Sequence, residues 1–230
     1  MIEKNGPKEF GHPTLILILL VSFASVFNVG NLIHELGHLV FLSVHGGYST
    51  ELVFHPFLPT HVTSNPVPPP GWSDMGGWLF NIGFGSLATF LTWRSSKMYV
   101  FPLQIWGPLA LIVEGFNILL SPLSPGSDGE RFAIFLHISV LIFSVIGLFL
   151  MIVGLVLYGL ALQKLGIGNN RSFLNRVMIL ILGNSLYFFM AYVFLILFAP
   201  SADFNRINVN LIAVVLVSIL TIITQKLIYD

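Results

Sequence analysis

Six stretches of the chain, residues 14–44, 74–93, 99–120, 132–158, 177–199 and 208–229, are apolar for about the length that a bilayer demands. The hydrocarbon core is about 30 Å thick, so a helix needs roughly 20 apolar residues to cross it. Inside lipid every backbone N–H and C=O must be satisfied internally, which leaves helices or closed barrels. Runs this long read as helices. Only 9% of the 230 residues are charged, against about 25% in soluble domains. The expected fold is an all-α polytopic membrane protein with about six transmembrane helices, embedded in a lipid bilayer.

Formal net charge is zero, with no basic stripe or acidic tail, so nucleic acid is not an expected partner. Cysteine is absent, so any metal must be held by nitrogen and oxygen. Lys4 and Lys8 before the first run, and Ser22-Phe23-Ala24 within it, have the look of a cleaved leader. The apolar run continues well past that point, however, so it is expected to stay. Placing Lys4, Lys8, Arg94, Lys97, Lys164, Arg171, Arg176 and Lys226 inside leaves Arg131 and Arg206 outside. That bias predicts both termini in the cytoplasm. As a straight helix the first run would be about 46 Å long, more than the hydrocarbon requires, so a tilt, kink or break is expected, with Asn28-Val29-Gly30-Asn31 the place for it.

The longest connection, residues 45–73, holds "NPVPPPGW" (Asn65–Trp72), which should be extended and stiff. Before it, Tyr48–His55 has strand-like composition and reads as a short extended segment at the membrane surface. The chain is expected to be one integral membrane domain, 1–230, with a four-helix core at 14–158 and two accessory helices at 159–230. Gly147, Gly154 and Ala161 recur every seven residues, and Gly77, Asn81 and Gly85 every four. Both stripes suit close helix contacts.

Within the first run stands "NLIHELGHLVFLSV" (Asn31–Val44). Three ionisable groups in a lipid-like helix are costly and point to function. On a helix, His34 and His38 lie one turn apart and about 6 Å along the axis, so each can aim a nitrogen at a shared point. Zinc accepts such a pair. Glu35, turned by about 100°, can reach a water beside the metal without ligating it, and act as a general base. Chance rarely builds this pattern.

A catalytic zinc needs a third protein ligand and one open position. Asp128 lies in "SPGSDGERF" (Ser124–Phe132), where Ser127 and Glu130 fit a capping box that puts Asp128 in a first helical turn. Glu114, one turn before Asn117, is the reserve. His137 suits a core histidine, and His45, His55 and His61 suit solvated loop positions. Counted from the segment ends, His38, Asn81, Glu114 and His137 would share a layer about 7–10 Å below the outer surface, with Asp128 slightly above. Asn184 suits an interhelical hydrogen bond.

"HELGHLVFLSVHGG" (His34–Gly47) and "FNILLSPLSPGSDGERF" (Phe116–Phe132) resemble the zinc-binding helix and the second motif of the site-2 protease family of intramembrane zinc metallopeptidases. The likeness covers roughly residues 30–132 and is closest to compact members without soluble domains. It implies His34, His38 and Asp128 on one zinc ion, Glu35 as general base, and a transmembrane protein or peptide as substrate. "GGWLFN" (Gly76–Asn81) is similar to a family segment with a Gly-x-x-Asn pattern. It implies a substrate-binding or oxyanion role for Asn81, with Asn117 as the leading asparagine of the second motif. Two features depart from the pattern: Asn117 to Asp128 is longer than usual, and Glu130 stands where a second glycine is frequent. An inactive member acting as a membrane scaffold or chaperone is the main alternative. An ion carrier and a metalloprotease of another lineage, with Glu114 as ligand, are the others.

Overall fold

The computed structural model describes residues 10–46, 48–53, 61–168, 171–198 and 204–229. Among them are seven α-helices: α1 His12–His45, α2 Trp72–Thr92, α3 Phe101–Leu119, α4 Asp128–Phe135, α5 Val140–Lys164, α6 Phe173–Phe198 and α7 Phe204–Tyr229. Two strands, β1 Ser49–Val53 and β2 His61–Asn65, form an antiparallel pair in which Leu52 opposes Val62. Among the described residues, three helical stretches, His12–His45, Met98–Leu119 and Val140–Lys164, are long and apolar enough to cross a membrane.

The expectations for the run 132–158 and for His137 are corrected. The run 132–158 is not one helix: α4 ends at Phe135 and α5 begins at Val140. Ile138 N–H bonds to Ala133 O at 3.1 Å and His137 N–H to Ile134 O at 3.1 Å, with His137 at φ 57°. This is a Schellman stop, in which the residue after the C-cap takes the left-handed conformation. His137 is therefore an exposed turn residue, not a core histidine. Of the tilt, kink or break expected at Asn28–Asn31, the break is not seen: α1 is one continuous helix. A Cβ on Gly30 would come within 3.1 Å of Asn81 Oδ1, so the glycine makes room for a neighbour while the helix runs on. The strand expected at Tyr48–His55 is observed as β1, and its partner β2 comes from 61–65. His55 lies outside the described residues.

The chain divides into two compact units. One, drawn from Val26–Arg94 and Leu103–Gly154, contains HELGH and Asp128. Small residues bring its helices together. A Cβ on Gly37 of α1 would overlap the Gly76 carbonyl of α2, and one on Gly85 of α2 would press on Gly107 of α3. Gly147 and Gly154 of α5 meet α3 at Gly115 and Ile112. Pro108 leaves the Gln104 carbonyl without its helical donor, and the Thr89 hydroxyl lies 3.1 Å from it. The apolar centre joins Ile118, Phe132, Ala133 and Phe143, with Trp78 edge-on to Phe132 at 5.5 Å. The other unit is drawn from Met1–Ser25, Ser95–Pro102 and Leu155–Asp230. There α6 packs on α7, and Asn184 Nδ2 donates to Ser218 Oγ at 3.4 Å. Gln225 Nε2 donates to the Gly159 carbonyl at 2.9 Å.

Candidate metal centre

Helical spacing stacks His34 and His38 on one face of α1, and their ring Nε2 atoms stand 3.1 Å apart. Each ring is fixed from behind. His34 Nδ1 lies 3.0 Å from Glu114 Oε1, and His38 Nδ1 lies 2.7 Å from the Ser73 carbonyl. A carbonyl and a carboxylate only accept, so both Nδ1 atoms carry the hydrogen. In the neutral rings both Nε2 atoms then present lone pairs to each other.

A third acceptor joins them. Asp128 Oδ2 is 3.5 Å from His34 Nε2 and 3.2 Å from His38 Nε2. Asp128 is the first residue of α4, whose N-cap Ser127 accepts from Glu130 N–H. Gly129 lets this turn settle on Ser121, whose Oγ a Cβ would strike. Burial alone pushes the Asp128 carboxyl up, and only imidazolium rings at His34 and His38, with a second hydrogen on Nε2, would hold it below the usual carboxylate range. In a tetrahedron with bonds of about 2.05 Å, ligand atoms stand about 3.3 Å apart. The edges of the observed triangle, 3.1, 3.2 and 3.5 Å, match that spacing. The Asp128 side chain is 41% exposed, against 15% and 13% for the histidines, so the cluster opens on the aspartate's side.

His34, Glu35 and His38 form a group able to hold a metal ion, with donor atoms within 4.8 Å of one another. Glu35 Oε2 accepts from the Val62 N–H of β2 at 2.9 Å. Glu114, the reserve ligand, is turned to the Nδ1 side of His34, away from the converging Nε2 atoms. It also accepts from Asn81 Nδ2 at 2.6 Å and Asn117 Nδ2 at 3.3 Å. It therefore orients the His34 ring, in the carboxylate–histidine arrangement known from metal sites. Asn81 is buried, and its Oδ1 accepts from Trp106 Nε1 at 3.0 Å, so both ends of its amide are engaged within the protein. Asn117 is exposed beside it. His45 caps back onto the Phe41 carbonyl, and His61 is an exposed residue of β2.

Several contributions to the centre were not assigned from sequence. A Cβ on Gly77 of α2 would lie 2.5 Å from both Nε2 atoms, so only glycine leaves the histidines their shared space. The small-residue stripe on α2 was the available signal for it. The Ser73 carbonyl and Val62 amide are backbone groups and leave no trace in residue identity. Compared with protein-family models, with curated proteins and with solved structures, the chain matches none.

Proposed function

We propose that this chain is an intramembrane zinc metalloprotease of the site-2 protease type. One observation carries the reading: three electron-pair donors, His34 Nε2, His38 Nε2 and Asp128 Oδ2, converge at tetrahedral spacing with nothing but a cation to reconcile them. A proton bridges two such atoms; a metal ion serves all three. Two nitrogens and one carboxylate without thiolate suit zinc with one position left for water. His34, His38 and Asp128 would hold it, and when bound it would polarise the scissile carbonyl and acidify a water.

The chain's own groups supply the rest. Glu35 has one carboxylate oxygen held by Val62 N–H, which leaves the other to take a proton from the attacking water and return it to the departing amine. Glu114 and the Ser73 carbonyl keep both imidazoles in the tautomer that frees Nε2. A helical substrate hides its carbonyls, so the segment to be cut must be extended. Val62 N–H points away from β1, and by strand alternation Ser64 shares that outer edge. A substrate extended along an edge of this two-stranded sheet would lie close to Glu35.

The membrane setting is supported by the three long apolar stretches and by the apolar face that α5 leaves open at Leu141, Ile142, Val145 and Phe149. We read the remaining long helices as further spans, with both termini cytoplasmic and a transmembrane protein or peptide as substrate. Purified protein and its Glu35→Gln variant, assayed for metal and for cleavage of a transmembrane reporter, test the proposal. Zinc in both with cleavage only by the first supports it. Zinc without cleavage indicates a scaffold, and absence of metal from both overturns the reading.

A further inference from the structure

Beside the metal centre lies an ion pair that plays no part in the chemistry above. Asp74, in the first turn of α2, is buried. Its Oδ2 accepts from Gly71 N–H at 2.7 Å, and its Oδ1 accepts from Arg131 Nε at 2.6 Å. Arg131 Nη2 also donates to the Pro68 carbonyl at 2.8 Å. Each partner is close in sequence to a residue that forms or orients the triangle. Ser73, whose carbonyl fixes the His38 ring, immediately precedes Asp74. Asp128 is three residues before Arg131, one turn away on the same helix.

We propose that Asp74 and Arg131 are positioning residues of the metal centre, which lock the turn presenting Asp128 against the helix end that orients His38. An eight-residue helix does not hold its own geometry in isolation, so the direction of α4 is set by its contacts. Phe132 and Ala133 bury one side of it and Gly129 seats it on Ser121. Such apolar contacts fix separation well and rotation poorly, because dispersion is not directional. The guanidinium supplies the direction. Its planar fork meets a carboxylate and a carbonyl at once, a geometry lysine does not reproduce. The third connection, to Pro68, ties the stiff Pro-rich segment to the same clamp. Ligand geometry at the metal thereby depends on residues 68–74, none of which reaches the metal.

The inference rests on the metal-centre reading but not on proteolysis, so it is tested by metal binding. Wild type, Arg131→Gln, Asp74→Asn, the double variant and Asp128→Asn as reference are purified. Zinc affinity is read by chelator competition, geometry from the visible spectrum of the cobalt-substituted proteins, and melting temperature with and without zinc. Each single variant should weaken zinc about 10- to 100-fold, the range for groups that orient ligands. Their cobalt spectra should move toward that of Asp128→Asn, and the double variant should be no worse than the singles, because the pair acts as a unit. Lower melting temperature with unchanged zinc affinity and cobalt spectrum overturns the proposal, since a merely structural pair behaves that way. Should Arg131→Gln and Asp74→Asn fail to fold, Arg131→Lys decides: a weakened, spectrally shifted site supports the clamp, and a wild-type site overturns it. Wild-type protein that binds neither metal removes the metal reading itself, an outcome distinct from a bound metal indifferent to the pair.

Discussion

Replacing Glu114 with glutamine keeps the shape of a buried side chain and removes only its charge. In the structure that carboxylate accepts from His34 Nδ1 at 3.0 Å, Asn81 Nδ2 at 2.6 Å and Asn117 Nδ2 at 3.3 Å. A hydrogen bond to a charged group contributes about 1.5–3 kcal/mol and a neutral one about 0.5–1.5, so neutralisation costs about 1 kcal/mol per bond retained. The glutamine oxygen can keep the His34 and Asn81 bonds, whereas its NH2 faces the Asn117 donor. Only the His34 bond, and the Asn81 bond that steadies it, are linked to the metal. Zinc binding should therefore weaken by about 1–2 kcal/mol, roughly five- to thirty-fold, with one zinc per chain still bound at saturation. Chelator competition on detergent-purified protein measures this directly. Asp128→Asn, which alters a donor atom in the triangle, should weaken zinc further. If Glu114→Gln cost more affinity than Asp128→Asn, Glu114 would be a ligand, and its assignment as an orienting group would be wrong.

Gly77→Ala places a methyl 2.5 Å from both Nε2 atoms, so zinc should be lost or bound at least about tenfold more weakly, which metal analysis of the purified variant will show. Glu35→Ala frees the Val62 amide. Hydrogen–deuterium exchange should then rise in β2 while zinc content is retained; unchanged exchange would mean the contact does not hold the strand. Thr89→Val removes the hydroxyl that lies 3.1 Å from the Gln104 carbonyl and accepts from Gly107 N–H at 2.9 Å. It should cost about 1–3 kcal/mol, read as a lower thermal midpoint with zinc affinity unchanged.

The i, i+4 arithmetic of His34 and His38 needs only helical periodicity, which is why the metal-holding group was legible in sequence. The start of α4 was legible too, because Ser127 and Glu130 mark a helix N-terminus. Its end was not. Leu136, Ile138 and Val140 continue the apolar run, and the left-handed turn falls on His137 rather than on a glycine. Hydropathy therefore joined two helices that the backbone separates. Counting depth placed Glu114 and Asn81 near the histidines, yet depth says nothing about rotation. Whether Glu114 meets Nδ1 or Nε2 depends on how α3 turns against α1, which hydropathy and helical spacing do not encode. Val62 N–H and the Ser73 carbonyl were invisible, since every residue offers the same backbone groups.

Zinc K-edge X-ray absorption on the purified, zinc-loaded protein tests the central claim most directly. The account predicts one tightly held zinc per chain with a first shell of nitrogen and oxygen at about 2.0–2.2 Å, and scattering from two imidazoles that disappears in the His34→Ala/His38→Ala variant. A protein that retains no zinc, or one whose zinc shows no imidazole scattering, would contradict it.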